Sequence, residues 1–146
     1  MKTKILTALM LLSFCFLLTG CYEGLSKRQI VQLVQVQREY IEETVLAGNA
    51  TALEGWEGVR QVWKKENGAV CFFCAGAGLV PSSGYFGFYY SPEDEPLDIE
   101  GMIYSGPLLP EKEGWAWHER DTDPRGDNVY YTERICPRFF YYESHF

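Results

Sequence analysis

The chain has 146 residues and sets 13 Lys and Arg against 20 Asp and Glu, a formal net charge of −7. That length supports one domain with a moderate core and leaves little room for a second. The acidic excess repels nucleic-acid phosphates and anionic headgroups, which argues against nucleic-acid binding and against membrane attachment through a basic patch.

Lys2 and Lys4 open the chain, and an apolar run from Ile5 to Leu18 follows, broken only by Thr7 and Ser13. The run ends in Leu18-Thr19-Gly20-Cys21. A positive start, an apolar middle and small residues before a cysteine form an export signal. The run is also shorter than the roughly 20 residues that a bilayer needs. Residues 1–21 resemble the precursor segment of bacterial lipoproteins, and Leu18-Thr19-Gly20-Cys21 is similar to their lipobox. The resemblance implies cleavage before Cys21, a diacylglycerol thioether on its sulfur, and a further acyl chain such as palmitate on the new amino terminus. It also implies a bacterial cell-envelope location outside the cytoplasm, with the membrane as a partner through the lipid anchor. Two of the cations and none of the acids lie in residues 1–20, so the remainder carries a formal −9. Tyr22 stands where a retention aspartate for the inner membrane would stand.

Residues 21–25 read as the anchor and a short spacer, and residues 26–146 as a single domain. Ser26-Lys27-Arg28-Gln29 has the spacing of a capping box. Ile30, Leu33, Val34, Ile41 and Val45 then form one stripe of an amphipathic helix. Gly48 and Asn49 end it, giving a helix from Lys27 to Ala47. Thr51-Ala52-Leu53-Glu54 repeats the capping pattern, with Leu53, Trp56 and Trp63 at helical spacing. A second, shorter helix is expected from Ala52 to about Lys65, although Gly55 and Gly58 each weaken it by about 1 kcal/mol. Asn67-Gly68 marks a turn.

From Ala69 the period shifts towards two, predicting strands at Ala69–Cys74, Tyr85–Tyr90, Gly101–Tyr104, Gly114–Arg120, Asn128–Ile135 and Arg138–Glu143. Ala75–Gly84 reads as a flexible connection. Strands that follow one another without helices favour antiparallel pairing. The expected fold is α+β: an N-terminal amphipathic helix, or helix pair, packed on an antiparallel sheet of about five or six strands.

Three thiols belong to the domain: Cys71, Cys74 and Cys136. Three residues of extended chain separate alpha carbons by roughly 10 Å, beyond the ~7 Å limit of a disulfide. A Cys71–Cys74 bridge would therefore need a turn. A bridge from Cys136 to either, buried free thiols, and a redox Cys-x-x-Cys remain open; nothing after Cys71 reads as the helix that a redox site uses.

Fifteen aromatic residues fall between Tyr85 and Phe146. Trp115 and Trp117 share one face by alternation, and with Tyr130 and Tyr131 they are candidates for a stacking platform that grips a sugar or a peptide. Core filling in a small sheet accounts for the same residues. Asp121, Asp123 and Asp127 fall at the first, third and seventh places of an EF-hand-like loop, with Gly126 at the sixth, and are weak candidates for calcium. The twelfth place is Thr132 rather than glutamate, and a hairpin turn uses the same letters. Arg125-Gly126-Asp127 matches the integrin-binding tripeptide.

His118 and His145 are the only histidines, which rules out a histidine-rich metal site and leaves one plausible general base for a Cys74 or Ser82 nucleophile. Glu119 and Glu133 are candidate acid and base for a glycan hydrolase. Gly76-Ala77-Gly78 lacks the following helix start that a phosphate loop needs. The stretches Cys74–Tyr90 and Asp127–Phe146 resemble segments of small exported bacterial proteins that have no assigned activity. The expected function is a membrane-anchored envelope lipoprotein whose non-catalytic domain binds an envelope protein or glycan without a cofactor. A cell-envelope glycan hydrolase and a calcium-dependent binding module are the alternatives.

Overall fold

The computed structural model describes residues 23–79, 82–99, 107–121 and 123–146. A capping box opens a long helix, α1 (Lys27–Leu46): Gln29 N donates to Ser26 Oγ, and Ser26 N donates to Gln29 Oε1 at 2.9 Å. Its stripe of Ile30, Val34, Ile41 and Val45 is buried, each contributing about 1.5–3 kcal/mol of transfer free energy. Among the described residues, no helix is long and apolar enough to cross a membrane.

The rest is mainly sheet. The strands are β1 (Glu23–Gly24), β2 (Gln61–Lys64), β3 (Val70–Leu79), β4 (Ser82–Tyr90), β5 (Leu109–Glu111), β6 (Gly114–His118), β7 (Val129–Cys136) and β8 (Phe139–His145). They form one sheet in the order β1-β3-β4-β8-β7-β6-β5, with β2 also on β3, and every pairing is antiparallel. β1 and β2 share one edge of β3: β2 pairs with Val70–Phe73 and β1 with Ala75 and Gly76.

This architecture overturns the expected α+β layout of a helix or helix pair on five or six strands. Among the described residues, one α-helix lies on an eight-stranded sheet. The predicted second helix, Ala52 to Lys65, becomes a short 3-10 turn, Ala50–Leu53, followed by β2. Gly55, Glu57 and Gly58 all have positive φ, a conformation that no right-handed helix contains. Beyond that break, Val62 packs in the core opposite Phe72, where a β-branched side chain suits the sheet.

Other expectations shift too. Glu23 and Gly24, read as spacer, are a strand. Much of the presumed flexible connection Ala75–Gly84 extends the β3–β4 ladder. β5 has no counterpart among the predicted strands, and Gly101–Tyr104 lies outside the described residues. The predicted strands at Tyr85–Tyr90, Gly114–Arg120, Asn128–Ile135 and Arg138–Glu143 coincide closely with β4, β6, β7 and β8.

Both faces of the sheet are aromatic and both are covered. The helix face carries Phe72, Phe88, Tyr90, Phe139 and Tyr141. The opposite face carries Cys71, Tyr89, Tyr130, Phe140 and Tyr142, which pack with Leu97 and Ile99. Two hydrogen bonds hold that covering segment, Tyr130 OH donating to Leu97 O at 2.7 Å and Leu97 N donating to Tyr89 OH at 2.9 Å, and Tyr89 OH in turn meets Thr132 Oγ1 at 2.8 Å. Thr132 Oγ1 donates onward to Tyr141 O, so the hydrogen of that hydroxyl pair belongs to Tyr89.

Candidate functional site

Two Tyr-x-Glu triplets meet on the helix face of the sheet. Tyr131-Thr132-Glu133 lies on β7 and Tyr141-Tyr142-Glu143 on β8, and their antiparallel register sets Tyr131 opposite Glu143 and Glu133 opposite Tyr141. Alternation aims all four side chains to one side. Tyr131 OH donates to Glu133 Oε2 at 2.6 Å, and Tyr141 OH donates to Glu143 Oε2 at 2.8 Å.

Lys27, the first residue of α1, closes the group. Its Nζ lies 2.7 Å from Glu133 Oε2, 5.3 Å from the Tyr131 ring centroid and 5.0 Å from that of Tyr141. An ammonium between two ring faces and a carboxylate is the arrangement of cation recognition, here satisfied within the chain. His145 Nε2 stands 3.8 Å from Glu143 Oε1. Burial, then the hydrogen bond to Glu133, pushes the Tyr131 phenol above its ordinary range, so Tyr131 stays protonated as a donor. The signal for this site was in the sequence as two Tyr-x-Glu triplets flanking a tight turn.

The expected aromatic platform is divided. Trp115, Trp117 and Tyr130 share the face opposite the helix, whereas Tyr131 points to the helix face. Trp117, Tyr130 and Tyr131 are buried, and Trp115 is half-buried against Phe140 with ring centroids 6.3 Å apart. These rings fill the core and leave little open face.

Glu119 and Glu133 are not brought together. Glu119 lies in the turn after β6, where its N donates to Asn128 O and its Oε2 accepts from Asn128 N at 3.2 Å. Glu133 sits five residues farther along the β7 segment, roughly 16 Å at strand rise. Inverting glycosidases separate their carboxyls by at most about 9.5 Å.

The acidic loop is a turn built from its own side chains. Asp123 Oδ1 accepts from Arg125 N at 3.0 Å, and Gly126 N donates to Asp123 O. Asp121 and Asp127 are exposed. Among the described residues, no three His, Cys, Asp or Glu side chains gather around a possible metal position.

Cys71, Cys74 and Cys136 are thiols that form no disulfide among the described residues. Cys71 and Cys74 belong to the cores on opposite faces, and burial pushes the Cys74 thiol up to about 12, which makes it a poor nucleophile at neutral pH. His118 Nε2 is 2.7 Å from Glu111 Oε2, and that hydrogen bond holds the Glu111 carboxyl below its usual range.

No family model matches the chain, and no curated protein or solved structure is similar to it at a significant level.

Proposed function

We propose that the protein is a bacterial envelope lipoprotein, held to a membrane by acyl chains on Cys21, whose sheet-rich domain acts by binding an envelope protein or glycan. One observation carries the reading: the lipobox Leu18-Thr19-Gly20-Cys21 ends two residues before β1, which is bonded directly into the sheet. Only Tyr22 separates the lipidated cysteine from that strand in the sequence. Binding is favoured over catalysis because the residue types that could react are engaged elsewhere. Glu119 caps a turn, Glu133 holds Lys27, His118 holds Glu111, and the Cys74 thiol is buried.

Fractionation of a bacterial host expressing the full chain tests this. Wild type is expected in the membrane fraction and released by detergent, with the Cys21→Ser variant shifted to the unprocessed form or the soluble envelope fraction. Identical behaviour of the two removes the proposal.

A further inference from the structure

We infer that the domain rests against the lipid surface on one corner of its sheet, formed by Phe73, Tyr85 and Phe146. The inference depends on Cys21 being acylated and adds which surface then meets the membrane.

Little sequence separates the anchor from the sheet. β1 starts two residues after Cys21, about 7 Å of extended chain. Glu23 pairs with Gly76, Gly76 with Tyr85, and Tyr85 with Ser144. Tyr85 is therefore two strand spacings from Glu23, roughly 10 Å. Because β1 is antiparallel to β3, the chain arrives from the side where β3 ends at Leu79, β4 begins at Ser82 and β8 ends at His145.

At that end, on the face away from α1, the Tyr85 ring lies 6.0 Å from that of Phe73 and 5.8 Å from that of Phe146. Tyr85 is 38% exposed, and Phe73 and Phe146 are half-buried. Phe146 is fixed there: its N donates to Ser83 O, and its O accepts from Ser83 N. The Tyr85 ring, with an apolar body and a hydroxyl tip, suits the headgroup boundary, and the two phenylalanines add apolar surface beside it.

The competing exposed apolar residues on α1 are Val36, Tyr40 and Leu46, of which Tyr40 and Leu46 lie in its second half. The helix starts with Lys27 over Tyr131 and Tyr141. It ends where Glu42 meets Arg138 and Lys64 Nζ donates to Gly48 O, at the sheet end formed by Val70, Tyr90 and Phe139.

The lipidated full-length product, purified from bacterial membranes and placed in phosphatidylcholine vesicles with a photoactivatable acyl chain, tests this by mapping the labelled peptides. Labelling is expected on the peptides containing Phe73, Tyr85 and Phe146, several-fold above that on residues 36–46, with loss of the corner label in a Tyr85→Glu variant. Label on residues 36–46 instead, or no domain label, with Cys21 acylated in the same digest, overturns the orientation and leaves the anchor standing. An unmodified Cys21 overturns both.

Discussion

Gly24 lies opposite Ala75 so closely that a Cβ added to Gly24 would stand 2.5 Å from the Ala75 Cβ and 2.5 Å from Cys74 O, at a φ of +137°. Only glycine fits that contact and that backbone. Gly24→Val is expected to cost about 1–3 kcal/mol through strain and clash, or to release β1 altogether. Hydrogen exchange decides: amides of β1 and of β3 around Ala75 are expected to exchange faster in the variant. Unchanged protection would show that β1 is not held as described.

The covering segment depends on a short chain of hydroxyls from Leu97 through Tyr89 and Thr132 to Tyr141 O. Thr132→Val keeps the shape and deletes the link, leaving the Tyr89 hydroxyl without its acceptor in a buried site. A loss of about 1–3 kcal/mol in chemical unfolding is expected. A neutral result would mean that water replaces the hydroxyl.

Alkaline pH should weaken the fold. Burial raises the Cys74 thiol from 9.0 to about 12 and lifts the phenols of Tyr89, Tyr130 and Tyr131 above 10.0. The folded state keeps these protons while the unfolded state gives them up, so their contribution is complete below about pH 9. It then declines as pH rises towards the folded values. Urea midpoints measured at pH 8 and pH 10.5 should fall with pH, and a flat profile would contradict the burial of these groups.

At the acid end, the Arg134 guanidinium and then the Arg138 backbone N–H hold the Asp94 carboxyl below its usual range. Asp94 and Arg138 both have positive φ, so Asp94 ties down the turn between β7 and β8 at a strained point. Its contribution is present above the unfolded value near 4 and lost as pH falls through the folded one. Because the pair is partly exposed, Asp94→Ala is expected to cost about 1 kcal/mol at pH 7, and less at pH 3. An equal loss at both pH values would rule out the charged contacts as the cause.

What could be read from the residues follows from where local pattern and tertiary context agree. α1 was legible because its cap, its stripe and Gly48 all point one way. The aromatic strands β4, β7 and β8 were legible because alternation and β-branched or aromatic residues coincide. β2 was not: Trp56 and Trp63 mimic a helical stripe, and only the backbone at Gly55, Glu57 and Gly58 shows the chain turning. β1 is too short for any periodicity and exists through a two-residue pairing with a distant strand. The Tyr131–Glu133 and Tyr141–Glu143 pairs needed the β7–β8 register before they could be seen as one site with Lys27.

The mass of the amino-terminal peptide of the chain isolated from bacterial membranes tests the central reading most directly. A peptide beginning at Cys21 and carrying a diacylglyceryl group on its sulfur is the predicted result. A peptide retaining Met1 to Gly20, or a bare thiol at Cys21, would contradict it.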